Sequence, residues 1–157
     1  MKFTRRVSSV LAVLTGLIGA NLLISQPAQA ATTAISCSGT ITASYTVSYP
    51  GDGVVGELVV YYNTSSGGTN SACLHHRGKS YGVSSETTVF IDKCSQTSGE
   101  GRTCTQISQD YDSGNYAYYA GPVGVTGTAN NCVSVHGYIE YRGVNLQVPG
   151  AGKTVGC

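Results

Sequence analysis

The sequence is poor in large apolar side chains, which limits the hydrophobic core that it can build. It contains no tryptophan, two phenylalanines and one methionine, whereas tyrosine occurs eleven times. A tyrosine ring carries a polar hydroxyl, so many of these side chains are expected to lie partly in water. A core with so few large apolar residues is expected to need covalent cross-links for its stability.

Charged residues are also scarce, at 11% of the chain, and they form no basic run. Removal of the export signal described below leaves six basic side chains against eight acidic ones, a net charge of about −2. Proteins that bind nucleic acids neutralise phosphates with clustered Lys and Arg. The composition therefore argues against binding of DNA or RNA.

The first 30 residues predict an export signal. A basic start at residues 1–6 precedes a mostly apolar stretch at 7–24, and Ala28-Gln29-Ala30 has the small-x-small pattern that a signal peptidase accepts. We place the cleavage after Ala30, which leaves one secreted domain, residues 31–157. No segment of that domain is long and apolar enough to span a bilayer, so no membrane span is expected after cleavage.

All six cysteines follow the predicted cleavage site, and an even count in an exported chain predicts disulfides. Cys94 and Cys104 stand at matching ends of one polar loop, which favours a bond between them. The other four cysteines leave the pairing open. A cysteine at the end of a chain normally fastens that end, which favours Cys132 with Cys157 and leaves Cys37 with Cys73.

The remaining sequence predicts β-structure. From Thr40 to Tyr49, apolar and polar residues alternate strictly, as they do in a half-buried strand. Similar patterns, bounded by Gly, Pro, Asn and Ser, predict about eight short strands at 40–49, 57–62, 71–76, 87–93, 106–108, 116–123, 131–142 and 144–148. No helical period occurs. The predicted fold is a single all-β antiparallel sandwich or barrel, stapled by three disulfides.

Several segments resemble the spore-associated protein A family, small exported proteins of filamentous actinobacteria. They are Leu58-Val-Val-Tyr-Tyr-Asn63, Asn70-Ser-Ala-Cys73, Asp112-Ser-Gly-Asn-Tyr116, Tyr119-Ala-Gly-Pro-Val123, Cys132-Val133, Gly137-Tyr-Ile139 and Cys157. The block before Cys132 is the most specific. The strand at 40–49 and the pair Cys94 and Cys104 depart from the family pattern, as does Ser134-Val-His136, where the family tends to have Trp.

The resemblance implies a non-enzymatic secreted protein of the spore or cell surface, with a structural or adhesive role. Its expected partners are components of the cell wall or of the spore surface. The family brings no catalytic residues and no cofactor to this sequence, so what it implies concerns location more than chemistry.

Metal binding and hydrolysis have weak support in the sequence. His75 and His76 are adjacent on a predicted strand, so their side chains point to opposite faces and cannot easily share an ion, even with His136 as a third ligand. Ser134 and His136 lie on one strand face, and Asp110 or Asp112 could complete a triad, but the chain has no Gly-x-Ser-x-Gly elbow. We therefore expect neither a metal, a cofactor nor an enzymatic activity.

The segment from Asp110 to Gly114 resembles the first part of a calcium loop. The later bidentate carboxylate is missing, because no Glu occurs between Glu100 and Glu140. Asp, Ser and Gly at this spacing favour a turn in which the side chains accept hydrogen bonds from nearby backbone amides.

Two alternatives concern binding of a partner. Arg102, in the loop closed by Cys94 and Cys104, could be presented to an extracellular trypsin-like protease by an inhibitor, although Gly99 and Gly101 would make that loop flexible. The tyrosines at 116, 118 and 119 could form a module that binds cell-wall glycans by stacking. Tyr116 and Tyr118 are expected to share one strand face with Tyr119 on the other, and Tyr61 or Tyr62 could join either set.

Overall fold

The computed structural model describes residues 35–148 and 152–157. The predicted signal, residues 1–30, lies outside the described residues. Nine strands follow one another: β1 Thr40–Tyr49, β2 Gly53–Asn63, β3 Thr69–His76, β4 Ser85–Cys94, β5 Gln106–Tyr116, β6 Tyr119–Thr126, β7 Val133–Tyr141, β8 Val144–Gln147 and β9 Thr154–Val155. Two 3-10 turns, Ser65–Gly67 and Gly78–Ser80, are the only helical elements in this part of the chain. The all-β prediction is confirmed.

The strands form two antiparallel sheets. Sheet A has the order β1-β2-β3-β6, and sheet B has the order β5-β4-β7-β8, with β9 also paired to β7. Buried side chains from both sheets form one shared core, and the described strands form no closed barrel. Of the two predicted architectures, the structure is therefore the sandwich.

The core consists of the side chains that point inward along each strand. Leu58 and Val60 of β2 are fully buried, as are Val89 and Ile91 of β4, because alternate residues of a strand face the same side. The core is completed by Val47, Val55, Ala72, Leu74, Ala120, Val123, Val125, Val133, Val135, Ile139, Tyr141, Val148 and Val155. Each fully buried Val, Leu or Ile contributes roughly 1.5–3 kcal/mol relative to exposure.

The six cysteines form the three predicted disulfides, Cys37–Cys73, Cys94–Cys104 and Cys132–Cys157. The first fastens residues 35–39 to the outer face of sheet A. There the Ser71 hydroxyl also donates to the Ser36 carbonyl oxygen at 2.7 Å. The amino-terminal segment is thereby held on the sheet by one covalent bond and one hydrogen bond.

The connections lie at the two ends of the sandwich, because all strands are antiparallel. One end, which we call the turn end, carries the connections 50–52, 77–84, 117–118 and 142–143. The opposite end, the disulfide end, carries the connections 64–68, 95–105 and 127–132 and the residues 152–157.

The turn predicted from Asp110 to Gly114 is wrong, because these residues lie within the eleven-residue strand β5. The carboxylates of Asp110 and Asp112 each accept a hydrogen bond from a backbone N–H group of β6. In addition, Asp110 accepts from the Tyr111 N–H and Asp112 accepts from the Tyr116 hydroxyl. Residue types that are common in turns here form hydrogen bonds between two strands, β5 and β6.

A further prediction about this region is wrong. The strand predicted at 116–123 is interrupted, since β5 ends at Tyr116 and β6 begins at Tyr119. The pair Gly121-Pro122 lies inside β6 with a cis peptide bond. Proline is tolerated there because β6 is an edge strand of sheet A. The sequence did not predict the short strand β9 at Thr154–Val155.

Candidate binding site

A depression of about 550 Å³ opens at the turn end. It is lined by His75, Arg77, Tyr81, Tyr118 and Tyr119, and we call it the tyrosine depression. His75 lies near the end of β3, Arg77 and Tyr81 flank the 3-10 turn, and the last two residues come from the hairpin between β5 and β6. Segments more than 30 residues apart in the chain thus contribute to one surface.

Backbone hydrogen bonds fix this surface. The N–H of His76 donates to the Tyr118 carbonyl oxygen at 2.8 Å, and the N–H of Gly82 donates to the Ala117 carbonyl oxygen at 2.8 Å. The Arg77 N–H donates to the Val55 carbonyl oxygen at 2.9 Å. The hairpin and the connection 77–84 are therefore joined through the main chain, which holds the rings in place before any ligand binds.

The aromatic side chains are unusually exposed for their size. Tyr81, Tyr118 and Tyr119 keep 61%, 55% and 44% of their surface in solvent. Tyr81 and Tyr118 form an edge-to-face pair with ring centroids 5.1 Å apart, and His75 packs against Tyr119 at 5.6 Å. Exposed, mutually supported rings of this kind are typical of surfaces that bind ligands by stacking.

Arg77 is the cation of the tyrosine depression. Its Nε donates to a Glu57 carboxylate oxygen at 2.9 Å, and the other oxygen of Glu57 accepts from the Ser44 hydroxyl at 2.7 Å. These two donors lower the pKa of Glu57, so its carboxylate stays charged and orients the guanidinium. Within the described residues no hydrogen bond occupies the two terminal NH₂ groups of Arg77, which leaves them for a ligand.

His75 supplies an uncharged ring to the same surface. Burial, together with the charge of Arg77, lowers the pKa of His75 below its usual value, so the imidazole is neutral at neutral pH. Its Nε2 is buried and has no hydrogen-bond partner among the described residues. The surface thus combines stacking rings with a guanidinium, a set suited to binding polar ligands that carry hydroxyl groups.

The structure brings together only part of the predicted tyrosine platform. Tyr118 and Tyr119 line the depression, but Tyr116 does not, since its hydroxyl donates to Asp112 at 2.6 Å and its ring packs against the core. The prediction that Tyr116 and Tyr118 share one strand face is wrong, because the first ends β5 and the second lies in the turn. Tyr61 and Tyr62 are not among the lining residues.

His75, Arg77 and Tyr81 were not assigned to this site by the sequence. The contributions of His75 and Tyr119 follow from the pairing of β3 with β6, which places these two residues opposite each other. The sequence did contain one signal for Tyr81. This large aromatic residue lies in a connection with glycines at 78 and 82, which have no side chains to cover its ring.

The backbone groups of Arg102 form hydrogen bonds within the domain, whereas a loop that binds a protease leaves such groups free for the protease. Its N–H donates to the Thr154 hydroxyl at 3.0 Å, and its carbonyl oxygen accepts from the Thr154 N–H at 2.8 Å. The loop expected to be flexible is held at both glycines: the Gly101 N–H donates to the Thr154 carbonyl oxygen, and the Gly99 carbonyl oxygen accepts from the Thr154 hydroxyl. The Arg102 backbone is therefore not free to pair with a protease.

The three histidines lie apart. His76 is fully buried, with its ring nitrogens 3.2 Å from the Ser80 carbonyl oxygen and 2.8 Å from the Thr87 hydroxyl, so it points away from His75 as predicted. His136 lies on the outer face of sheet B, stacked on Phe90 with ring centroids 4.4 Å apart. The described residues contain no group of three or more potential metal-binding side chains.

A triad of Ser134 and His136 with Asp110 or Asp112, which the sequence did not favour, is not formed, because both carboxylates are bound to β6. Asp92 is the acid beside His136, with Oδ2 3.7 Å from Nδ1. Ser134 is paired in register with Asp92, but its Oγ is buried and makes no hydrogen bond to a described residue. The serine is therefore neither accessible nor activated by a base.

Comparisons with protein-family models, with curated proteins and with solved structures found no match for this chain. The resemblance to the spore-associated protein A family therefore stays a prediction from the sequence. No helix in the described part of the chain has the length and hydrophobicity needed to cross a membrane.

Proposed function

We propose that this chain is an exported, non-enzymatic protein of the cell or spore surface that adheres to cell-wall glycans through the tyrosine depression. The observation that carries the proposal is the convergence of Tyr81, Tyr118 and Tyr119, all well exposed, beside the Arg77 guanidinium. Sugar rings have apolar C–H faces that stack on tyrosine, and their hydroxyl and carboxylate groups accept hydrogen bonds from arginine.

The proposed location rests on the cross-links and on the predicted signal. Disulfides form and persist in oxidising compartments outside the cytosol, and this chain has three of them. The disulfides also raise the free energy of unfolding, because they reduce the conformational entropy of the unfolded chain. The resemblance to proteins associated with spores supports the same location.

The side chains that line the tyrosine depression favour binding over catalysis. Among its lining residues there is no carboxylate pair and no nucleophile with an adjacent base, which are the groups that glycoside hydrolysis or acyl transfer would use. A polymer of repeated sugars could bind weakly at each protein and strongly at a surface covered by many of them.

A sedimentation assay tests the proposal. The oxidised protein is mixed with insoluble peptidoglycan, chitin or cellulose, and the unbound fraction is measured. The double variant Tyr118→Ala/Tyr119→Ala removes two stacking rings without removing the backbone groups that join the hairpin to β3, so it is expected to bind about tenfold more weakly. Tyr111→Ala is the matched control, because Tyr111 is 62% exposed but lies on the outer face of sheet B.

Two results would contradict the proposal. One is failure of the unaltered protein to sediment with any of the three polymers. The other is an equal loss of binding in the Tyr111→Ala control, which would mean that exposed tyrosines act without regard to their position.

A further inference from the structure

A second depression, of about 470 Å³, opens at the disulfide end. Its lining includes Thr42 of β1, Tyr62 of β2, Glu100 of the disulfide loop, Thr128 and Gly156. None of these residues takes part in the tyrosine depression, which lies at the opposite end of the sandwich. We call this second surface the acidic depression.

The charge of the acidic depression is negative. Glu100 is exposed and forms no salt bridge with a described residue, and no basic side chain lines the surface. The nearby phenol of Tyr45 has a raised pKa, mainly through burial and in addition through the negative charge of Glu100. An unpaired carboxylate beside tyrosine rings is a setting that favours a cationic ligand.

A buried acceptor lies behind the same surface. Asn70 is 1% exposed, and its Nδ2 donates to the Thr128 hydroxyl at 2.8 Å, which orients the amide. Its Oδ1 has no hydrogen-bond partner among the described residues, although buried polar atoms are nearly always paired. A Cβ atom placed at Gly156 would lie 3.5 Å from this Oδ1 and 3.5 Å from the Thr42 hydroxyl oxygen, so both oxygens border the same space.

We infer that the acidic depression binds a primary ammonium group carried by a small polar molecule such as an amino sugar. An ammonium has three N–H donors and no acceptor, which matches a site made of the Glu100 carboxylate, the Asn70 amide oxygen and the Thr42 hydroxyl. The half-buried Tyr62 also lines this surface, and an aromatic ring near a cation stabilises it. This inference uses none of the residues on which the proposed function rests, so either can fail without the other.

Nitrogen-15 NMR of the full, oxidised chain tests the inference with two probes that share one sugar ring and differ at its nitrogen. Glucosamine carries the ammonium, whereas N-acetylglucosamine replaces it with a neutral amide. Glucosamine is expected to shift the amide signals of residues 99–101, 128–129 and 156 in a saturable way. N-acetylglucosamine is expected to bind there about tenfold more weakly, which corresponds to the loss of one charge-assisted hydrogen bond.

Two variants locate the site. Glu100→Gln keeps the shape of an exposed side chain and removes its charge, so it is expected to weaken glucosamine binding about tenfold. Thr42→Val, also at an exposed position, is expected to weaken it to a smaller extent, and Tyr111→Ala on the outer face of sheet B leaves it unchanged. The inference is overturned if N-acetylglucosamine binds equally well at these amides, if Glu100→Gln has no effect, or if glucosamine shifts only residues of the tyrosine depression.

Discussion

The Asp112 carboxylate accepts a hydrogen bond from the backbone N–H of Gly121 at 2.7 Å, and this contact joins the edge strand of one sheet to the edge strand of the other. Asp110 repeats the arrangement with the Gly124 N–H at 2.8 Å. Unpaired backbone groups on an edge strand invite pairing with another chain. The two carboxylates thus accept hydrogen bonds from two N–H groups of β6 and join the sheets at this corner of the sandwich.

Replacing Asp112 by alanine is expected to reduce the free energy of unfolding by about 2–4 kcal/mol. The variant leaves the Gly121 N–H and the Tyr116 hydroxyl without their charged acceptor. Urea unfolding followed by circular dichroism measures the change. Asn115→Ala on the same strand is the control, since Asn115 is exposed and is expected to change stability by less than about 0.5 kcal/mol. Equal losses in both variants would refute a special role for the corner.

The strand pattern and the disulfides could be predicted because both depend on local signals. Alternation marks β1, β4 and β7, and a polar loop between two cysteines marks Cys94–Cys104. Only the first three residues of β5 were predicted as a strand, because the Asp, Ser, Gly and Asn that follow favour turns when only neighbours in sequence are considered. Their role in β5 depends on backbone groups of β6, which no local pattern describes.

The tyrosine depression shows the same limit. Tyr118 and Tyr119 were predicted as binding residues because they cluster in the sequence. Arg77 and Tyr81 lie beside them only because β3 pairs with β6 and the Gly82 N–H donates a hydrogen bond to the Ala117 carbonyl oxygen. Sequence periodicity assigns a residue to a face of its own strand. It does not identify which strand lies beside it.

Acidification is expected to destabilise the protein between about pH 6.5 and pH 5. Burial lowers the pKa of His76 in the folded state, so the unfolded chain binds this proton more readily, and stability falls as the pH drops below the unfolded pKa. His75 has the same sign. The slope approaches about 1.4 kcal/mol per pH unit for each histidine that is protonated only when unfolded.

Urea unfolding at pH 8, 6 and 5 measures this dependence. The contribution of Glu57, whose pKa is lowered, is lost only at lower pH, below its ordinary value of 4.5, and so does not interfere. The variant His76→Gln is expected to be less stable at pH 8 and to show a shallower slope. An unchanged slope in His76→Gln would show that the buried ring does not carry the effect.

Trypsin is expected to retain its activity in the presence of a stoichiometric amount of this protein. Both backbone groups of Arg102 are bound to Thr154, so a protease cannot form the extended main-chain pairing that tight inhibitors provide. Residual hydrolysis of a small chromogenic substrate measures the effect. Inhibition that disappears in Arg102→Ala would show that the loop opens and presents this side chain.

Replacing Gly137 by alanine is expected to reduce stability by about 1–3 kcal/mol, because β7 crosses the core where there is no room for a methyl group. A Cβ at this position would collide with the Thr88 carbonyl oxygen and would lie 3.4 Å from Cδ2 of Leu74. The nearer atom belongs to the backbone, so shortening Leu74 does not relieve the collision. In thermal unfolding, the double variant Gly137→Ala/Leu74→Ala should therefore lose about the sum of the two single losses. A double variant that loses clearly less stability than that sum would show instead that the collision with the Leu74 side chain of sheet A dominates.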